Sequence, residues 1–431
     1  MLTLVEALNF RCLRYVRQKV GRFHVLVGPN ASGKTTFLDV IAFLGDLVAE
    51  GLEQAVYKRT RNFSDLLWQH SGNRFELAVE ASIPPEKRRL LAVQTYDTVR
   101  YEVAIGIDPE SKEIVIAEER GWLQVRGHES STQKGLFPEP PPPPNTIVSA
   151  GKSSGKRRSL FSKTPGGNDN YYADAHQKEG RWAPAFKLGA RKSTLGNLPE
   201  DEENFPVSAW FKQLLTNGIE KMILNSLLVR QASPPGQARG FKSDGSNLPW
   251  VIAGLEERDS ARLKHWVAHL RTALPDLADV RTIERADDRH RYLQLEYDGG
   301  LEVPSWMASD GTLRLMALTL PAYLDDFGGI YLIEEPENGI HPRAIETMYQ
   351  SLSSVYGAQI LLATHSPVIL SVVDPDSVLC FAKNSDGATD IVAGREHPAL
   401  REWQGAENLG ALFAGGVSVH GFLGKSVFEV L

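Results

Sequence analysis

Cysteine is almost absent: Cys12 and Cys380 are the only two in 431 residues. They match no metal-ligand spacing, which excludes a disulfide framework and a thiolate zinc site. Both read as small apolar residues for the interior, in a chain expected to work in the reducing cytoplasm. No apolar run is long enough to cross a bilayer, and the first residues lack a secretory signal pattern, so the chain is expected to be soluble. An excess of positive charge is missing too. Against 47 Lys and Arg stand 53 Asp and Glu, for a net charge of −6. The whole chain is therefore no nucleic-acid coat, although local basic patches could still meet phosphates. Sustained heptads are lacking as well, which excludes a long coiled-coil arm. The length suffices for a large core in two or three domains.

What is present begins with Gly28-Pro29-Asn30-Ala31-Ser32-Gly33-Lys34-Thr35. Phe23 to Val27 reads as a short buried strand before it, and Thr36 to Ile41 opens a helix with apolar spacing after it. A G-x-x-x-x-G-K-[ST] pattern between strand and helix is a phosphate-binding loop. Gly28 and Gly33 permit backbone angles that turn amides toward phosphate oxygens, and the helix start adds its unpaired N–H groups. Residues Asn30, Ala31, Ser32, Gly33, Lys34, Thr35 and Thr36 are thus candidates to cradle ATP. Lys34 would reach the β- and γ-phosphates, and the Thr35 hydroxyl would ligate Mg²⁺.

Some three hundred residues later comes Gly329 to Ile333, apolar on both faces like a central parallel strand. Its charge appears abruptly at Glu334 and Glu335. Ligands of parallel sheets bind beyond the carboxyl ends of the strands, so both acids should project into the phosphate crevice. Glu334 is assigned to the Mg²⁺ shell and Glu335 to the attacking water. Glu in the metal position lengthens the reach by one methylene, which a water-mediated contact tolerates. Gln359 to Thr364 reads as a second buried strand with His365 just past its end, where a neutral imidazole can hydrogen-bond the γ-phosphate or the water. Ser309-Asp310-Gly311-Thr312-Leu313-Arg314 opens a helix expected over 313–324, with Ser309 as N-cap. Taken alone, that segment is an ordinary capped helix.

Together these residues resemble the ABC-type ATPases of the SMC, RecF and OLD group, and most of all the OLD-like "AAA-15" ATPases of prokaryotic defence loci. Gly28 to Thr36, Ser243 to Pro249, Ser309 to Arg314, Leu332 to Pro342 and Leu362 to Pro367 carry the resemblance. It covers roughly 1–110 and 205–425. The resemblance implies that Ser309 and Gly311 are the ABC signature, which caps the γ-phosphate on the other protomer, and that Asn338 and Gly339 cross that interface. ATP would then be sandwiched in a head-to-head homo-oligomer. Asp310 stands where the usual signature has a first glycine. The lid-loop glutamine is open between Gln69 and Gln231. OLD nucleases carry a TOPRIM domain after the ATPase. Too few residues follow His365 in this sequence for that domain, and they hold no acidic cluster of metal-site spacing. The resemblance therefore implies a separately encoded effector, a nuclease for preference, and a role in anti-phage defence, with DNA open as a partner. Two rivals stand beside it: a RecF/SMC-like DNA-repair ATPase, and a scaffold that ATP holds together without turnover.

The expected fold is α/β, a P-loop NTPase of the ABC-ATPase type with an antiparallel side sheet, a helical lobe and an irregular insert. Residues 1–125 should form the first ATPase lobe. Residues 126–204 read as a Pro/Gly/basic insert, partly disordered, with a five-proline run and a basic stretch from Lys152 to Arg158 plus Lys163. That stretch reads more readily as a solvated loop than as a phosphate grip. Residues 205–303 should hold helices at 210–230 and 248–274 and a hairpin at 280–297, with Trp250 and Trp266 in the core. Residues 304–431 should form the second lobe, with an apolar tail from Gly405 that docks on this chain or on a partner.

Overall fold

The computed structural model describes residues 1–126, 142–149, 155–164, 166–175, 184–237 and 240–396. The expected apolar tail and the residues Lys152 to Ser154 lie outside these. The chain divides into two compact units. One holds Met1–Gly21, Asn30–Ile219 and Phe381–Ile391; the other holds Arg22–Pro29, Glu220–Cys380 and the residues from Val392 on.

The first unit is built on an eight-stranded sheet. Its spatial order is Leu13–Lys19, Leu2–Phe10, Arg74–Ser82, Thr98–Ile107, Ile114–Gln124, Arg157–Lys163, Asp169–Tyr171 and Ala185–Phe186. Each neighbouring pair is antiparallel. Helix α1, Lys34–Glu50, packs Phe43 against Phe75 of this sheet at 5.5 Å between ring centres, and Phe10 stands 5.0 Å from Phe75. The strand Thr98–Ile107 is buried almost throughout yet carries two charges. Arg100 meets Glu102 at 2.6 Å, Glu6 at 2.7 Å and Glu80 at 3.1 Å, so its guanidinium is partnered on several sides, as a buried ion must be.

Over its described residues the stretch 126–204 extends this sheet. Arg157–Lys163, Asp169–Tyr171 and Ala185–Phe186 are its last three strands. Two further segments are strapped on by buried carboxylates. Glu76 accepts from the Thr146 hydroxyl and the Ile147 amide, and Glu102 from the amide and hydroxyl of Ser149. Glu119 takes the amides of Thr194 and Leu195 and the hydroxyl of Ser193. Three basic residues here have partners within the sheet's own unit. Arg157 lies over the Trp122 ring at 3.6 Å, Arg158 donates to the Ala173 carbonyl, and Lys163 pairs with Asp169 at 2.7 Å.

Asp174 ties this region to the helix Pro206–Asn217 by accepting from the amide and hydroxyl of Ser208. Burial pushes its carboxyl up to about 6, against the downward pull of these donors. The folded state therefore holds the proton more tightly than the unfolded chain, so this contribution is present in acid and lost as pH rises through about 6. About 3 kcal/mol is at stake for a shift of this size. Asp174→Asn cannot ionise. Its stability relative to wild type should improve by that order between pH 4 and pH 7 in paired urea melts; a constant difference would refute the raised carboxyl.

Six strands form the sheet that carries the motifs. They are β1 Phe23–Val27, β2 Ile219–Met222, β3 Gly329–Glu334, β4 Ala358–Ala363, β5 Val378–Lys383 and β6 Thr389–Ala393, in the order β2-β3-β4-β1-β5-β6. The pairs β3–β4, β4–β1 and β1–β5 are parallel. Strand β4 is buried at every residue, as a central parallel strand of aliphatic residues should be.

In the second unit the core joins Ile333 and Leu362 of these strands to Leu313, Leu315 and Met316 of helix α2, Asp310–Thr319. Trp266 is fully buried as expected, and its indole N–H donates to the Thr319 hydroxyl at 3.0 Å, pinning α2 to the helix Ser260–Ala273. Trp250 is only half-buried, under the Arg291 guanidinium. The hairpin stands as Leu277–Glu284 against Arg291–Tyr297, with Leu301–Pro304 as a third strand. Two expected helices are broken. The first ends at Gly218, and Ile219–Met222 becomes the edge strand β2. The second is split at Asp259, whose carboxylate accepts from the Arg262 amide and caps a new helix. Helix α2 stops at Thr319 and continues as a 3₁₀ turn, Leu320–Tyr323, where Pro321 lacks the N–H for another α-helical bond. No helix among the described residues is long and apolar enough to cross a membrane.

Candidate functional site

Parallel register brings three strand ends level. Glu334 lies opposite Ala363, and Ala363 opposite Leu26. Gly28-Pro29, Glu334-Glu335 and Thr364-His365 therefore leave the sheet at one edge, the edge where parallel sheets bind ligands. Glu334 and Glu335 are exposed there, immediately after a strand whose preceding residues are buried.

The loop that follows is tightly tied. Glu335 has a left-handed backbone, φ 46°, and its amide donates to the Ala363 carbonyl at 2.8 Å. A non-glycine residue held there carries about 1–3 kcal/mol of strain, which surrounding bonds must offset. Asn338 supplies one of them: its side-chain amide donates to Glu335 Oε2 at 2.7 Å. Glu337 turns the other way and accepts from the Thr364 hydroxyl at 2.6 Å and the His365 amide at 3.0 Å. His365 Nε2 lies 3.9 Å from Glu335 Oε1. The sequence-assigned carboxylate and histidine are thus neighbours.

Ser309 is the N-cap of α2, and its hydroxyl oxygen accepts from the Thr312 amide at 3.1 Å. Asp310, standing where a glycine is usual, pairs with Arg230 at 2.6 Å, so its charge is matched within the unit. Gly311 has no room for a side chain. A Cβ there would lie 2.5 Å from the Gly339 carbonyl oxygen, so the start of α2 and the loop Glu335–Ile340 are in direct backbone contact.

The remainder of the phosphate loop lies in the first unit. Ala31 and Gly33 are left-handed, at φ 60° and 106°. Lys34 and Ser32 are buried, while Asn30, Ala31 and Thr35 are exposed. Helix α1 begins with no side-chain cap and no acid in its first turn. The Ser32 hydroxyl is buried without a partner among the described residues. An uncapped helix start behind a left-handed glycine suits an anion, so these residues fit a nucleotide's phosphates. Thr36 accepts a weak bond from the Cys12 thiol at 3.4 Å. Cys12 is thus half-buried while Cys380 is fully buried, and burial pushes the Cys380 thiol up to about 12.

Sequence reasoning missed Thr389. This buried residue of β6 donates its hydroxyl to the Ser32 carbonyl at 2.9 Å, and a side chain at Gly33 would collide with it. Its amide is held by the Cys12 carbonyl. No local pattern marks it. The ion cluster beneath α1 was missed too: Asp39 is buried between Arg59 at 2.7 Å and Arg11 at 3.0 Å. Of the two lid-loop candidates, Gln69 has φ 50° and donates to the Asp386 carbonyl, and Gln231 follows the short helix Ser226–Arg230. Among the described residues no three His, Cys, Asp or Glu gather into a metal site.

No curated protein matches the chain. Solved structures do. The SMC head bound to the C-winged helix domain of ScpA is 14% identical, covers 91% of this chain and 97% of its own, and superposes with a TM-score of 0.50. An SMC head with an extended coiled coil, bound to the C-terminal domain of ScpA derived from Pyrococcus furiosus, is 13% identical over 91% of this chain and 95% of its own, with a TM-score of 0.46. The SMC head domain from Thermotoga maritima is 10% identical over 91% and 98%, with a TM-score of 0.42. The first likeness shows the fold, that of an SMC-head ABC-type P-loop ATPase. The family model described as "AAA domain, putative AbiEii toxin, Type IV TA system" matches residues 23–371, and the chain belongs to this AAA_21 family.

Proposed function

We propose that this chain hydrolyses ATP as an ABC-type head pair, with each nucleotide held between the phosphate loop of one copy and the signature of the other. The level strand ends carrying Glu335 and His365 3.9 Å apart support it most directly. Residues Asn30 to Thr36 bind the phosphates, and Lys34 offsets the charge that develops on them. Thr35 and Glu334 are the side chains that would hold Mg²⁺, which would supply positive charge to offset that of the phosphates. Glu335 orients the attacking water, and His365 senses the γ-phosphate. Ser309 and Gly311 complete the site of the second copy.

Within the AAA_21 family we place the chain with the OLD-like ATPases, as the sensor or regulator of a separately encoded effector, a nuclease, in anti-phage defence. The Glu334 to Pro342 run supports this placement. The likeness to SMC heads favours a second reading, a DNA-stimulated ATPase that needs no effector.

Light scattering and ATP turnover across protein concentration, with and without duplex DNA, test both. Mass should double with ATP, and turnover per chain should rise with concentration, because one copy completes the other's site. Stimulation by DNA alone would favour the SMC-like reading. Turnover that is nil, or independent of concentration in a protein that stays monomeric, would contradict the shared site.

A further inference from the structure

We propose that Glu337 is a positioning residue for hydrolysis, clamping the Thr364–His365 turn onto the loop that carries Glu335. The proposal rests on the reading of Glu335 and His365 given above. Of the three acids in Glu334-Glu335-Pro336-Glu337, the first two have roles at the metal and the water, and the third has none.

The contacts of Glu337 are specific. One carboxylate oxygen, Oε1, takes both the Thr364 hydroxyl and the His365 amide. A charged acceptor makes these stronger than neutral bonds. Thr364 is fully buried, and its hydroxyl oxygen also accepts from the Ser366 amide at 2.9 Å. Ser366 in turn caps the helix Pro367–Val372 through the Ile369 amide. The clamp therefore fixes the whole turn 364–366, and with it the direction from which His365 leaves the strand. On the other side, Glu337 is two residues from Glu335, in a loop held by the Glu335 amide on Ala363 and by Asn338 on the Glu335 carboxylate. These bonds all set one spacing, that between the carboxylate and the imidazole.

The second oxygen of Glu337 is buried with no partner among the described residues. A buried carboxylate oxygen left unpaired is costly, and a turn could be tied with a neutral side chain instead. The unpaired oxygen is a cost that the two bonds made by Oε1 must offset. Catalysis by positioning is sensitive to displacements of an ångström or less.

The test measures steady-state ATP turnover and melting temperature for wild type, Glu335→Gln, Glu337→Ala, Glu337→Gln, Thr364→Val and the double variant Glu337→Ala/Thr364→Val. Glu337→Ala should lower kcat by about tenfold or more with KM for ATP within about twofold, because the binding loop is untouched. Glu337→Gln keeps an acceptor oxygen and should stay within about threefold of wild type. Thr364→Val should lose kcat in the same direction, and the double variant should lose no more than Glu337→Ala, since both remove one clamp. Wild-type kcat in Glu337→Ala, or losses that multiply in the double variant, would overturn the proposal while leaving the ATPase reading intact. A merely structural role would show as a lowered melting temperature and a raised KM, with Glu337→Gln no better than Glu337→Ala. No turnover in wild type, or wild-type turnover in Glu335→Gln, would instead sink the underlying reading and the clamp with it.

Discussion

Glu335→Gln should bind ATP with near wild-type affinity and hydrolyse it about 100- to 1,000-fold more slowly, a loss of about 3–4 kcal/mol of transition-state stabilisation. The substitution is close to isosteric. The glutamine carbonyl can still accept from the Asn338 amide, which holds Glu335 at 2.7 Å, so the left-handed loop keeps its tie. What disappears is the negative charge proposed to orient the water and take its proton. The phosphate loop is separate in the chain and keeps its left-handed Gly33 and uncapped helix start. Bound nucleotide should therefore accumulate as ATP, and the ATP-dependent pair should outlive that of wild type. Single-turnover hydrolysis with radiolabelled ATP, paired with equilibrium binding, reads both. Equal loss of binding and turnover would mean that the loop itself had collapsed. Unchanged turnover would take the water-orienting role away from Glu335 and overturn the reading of this site.

The residues that announce this site do so because their chemistry is local. A phosphate loop must be a strand, a glycine turn and a helix start in close succession, and Phe23 to Ile41 shows all three. Glu334 and Glu335 stand out because an apolar strand turns acidic in one step. Ser309 is legible as a cap from three residues of context. The parts that were not legible depend on partners far away in the chain. Thr389 meets Ser32 across more than three hundred residues, and nothing around it distinguishes it from any edge-strand threonine. Arg230 explains why an aspartate is acceptable at 310, but only the fold brings the two together. The strands within the stretch 126–204 were not legible for a related reason. Its last strands have three and two residues, too short to show an alternating pattern, and its loops are tied by Glu76, Glu102 and Glu119 on strands read separately. The break at Asp259 was readable in principle: an acid followed by Ser-Ala-Arg-Leu is a helix start, but the apolar spacing ran across it.

Ser309→Asp should fold as well as wild type and lose most of its turnover. Aspartate caps a helix as well as serine, so the bond from the Thr312 amide persists and stability should change by less than about 0.5 kcal/mol. The new carboxylate sits where the γ-phosphate of the other copy should dock, and the two repel. Turnover should fall by about tenfold or more, while an isolated copy still binds ATP, because its own phosphate loop is unaltered. Lys34→Ala is the complementary lesion, since it damages the loop and spares the signature. Each variant alone should be nearly inactive.

Mixing the two is the measurement that bears most directly on the shared site. In a pair with two-fold symmetry, one copy of each variant yields one doubly damaged site and one site whose loop and signature are both intact. An equal mixture should therefore recover about a quarter of wild-type turnover, with half of the pairs mixed and one working site in each. Recovery to that level, growing with protein concentration, is the result this account predicts. A mixture no faster than the sum of its two components, in proteins shown by mass to exchange partners, would contradict it.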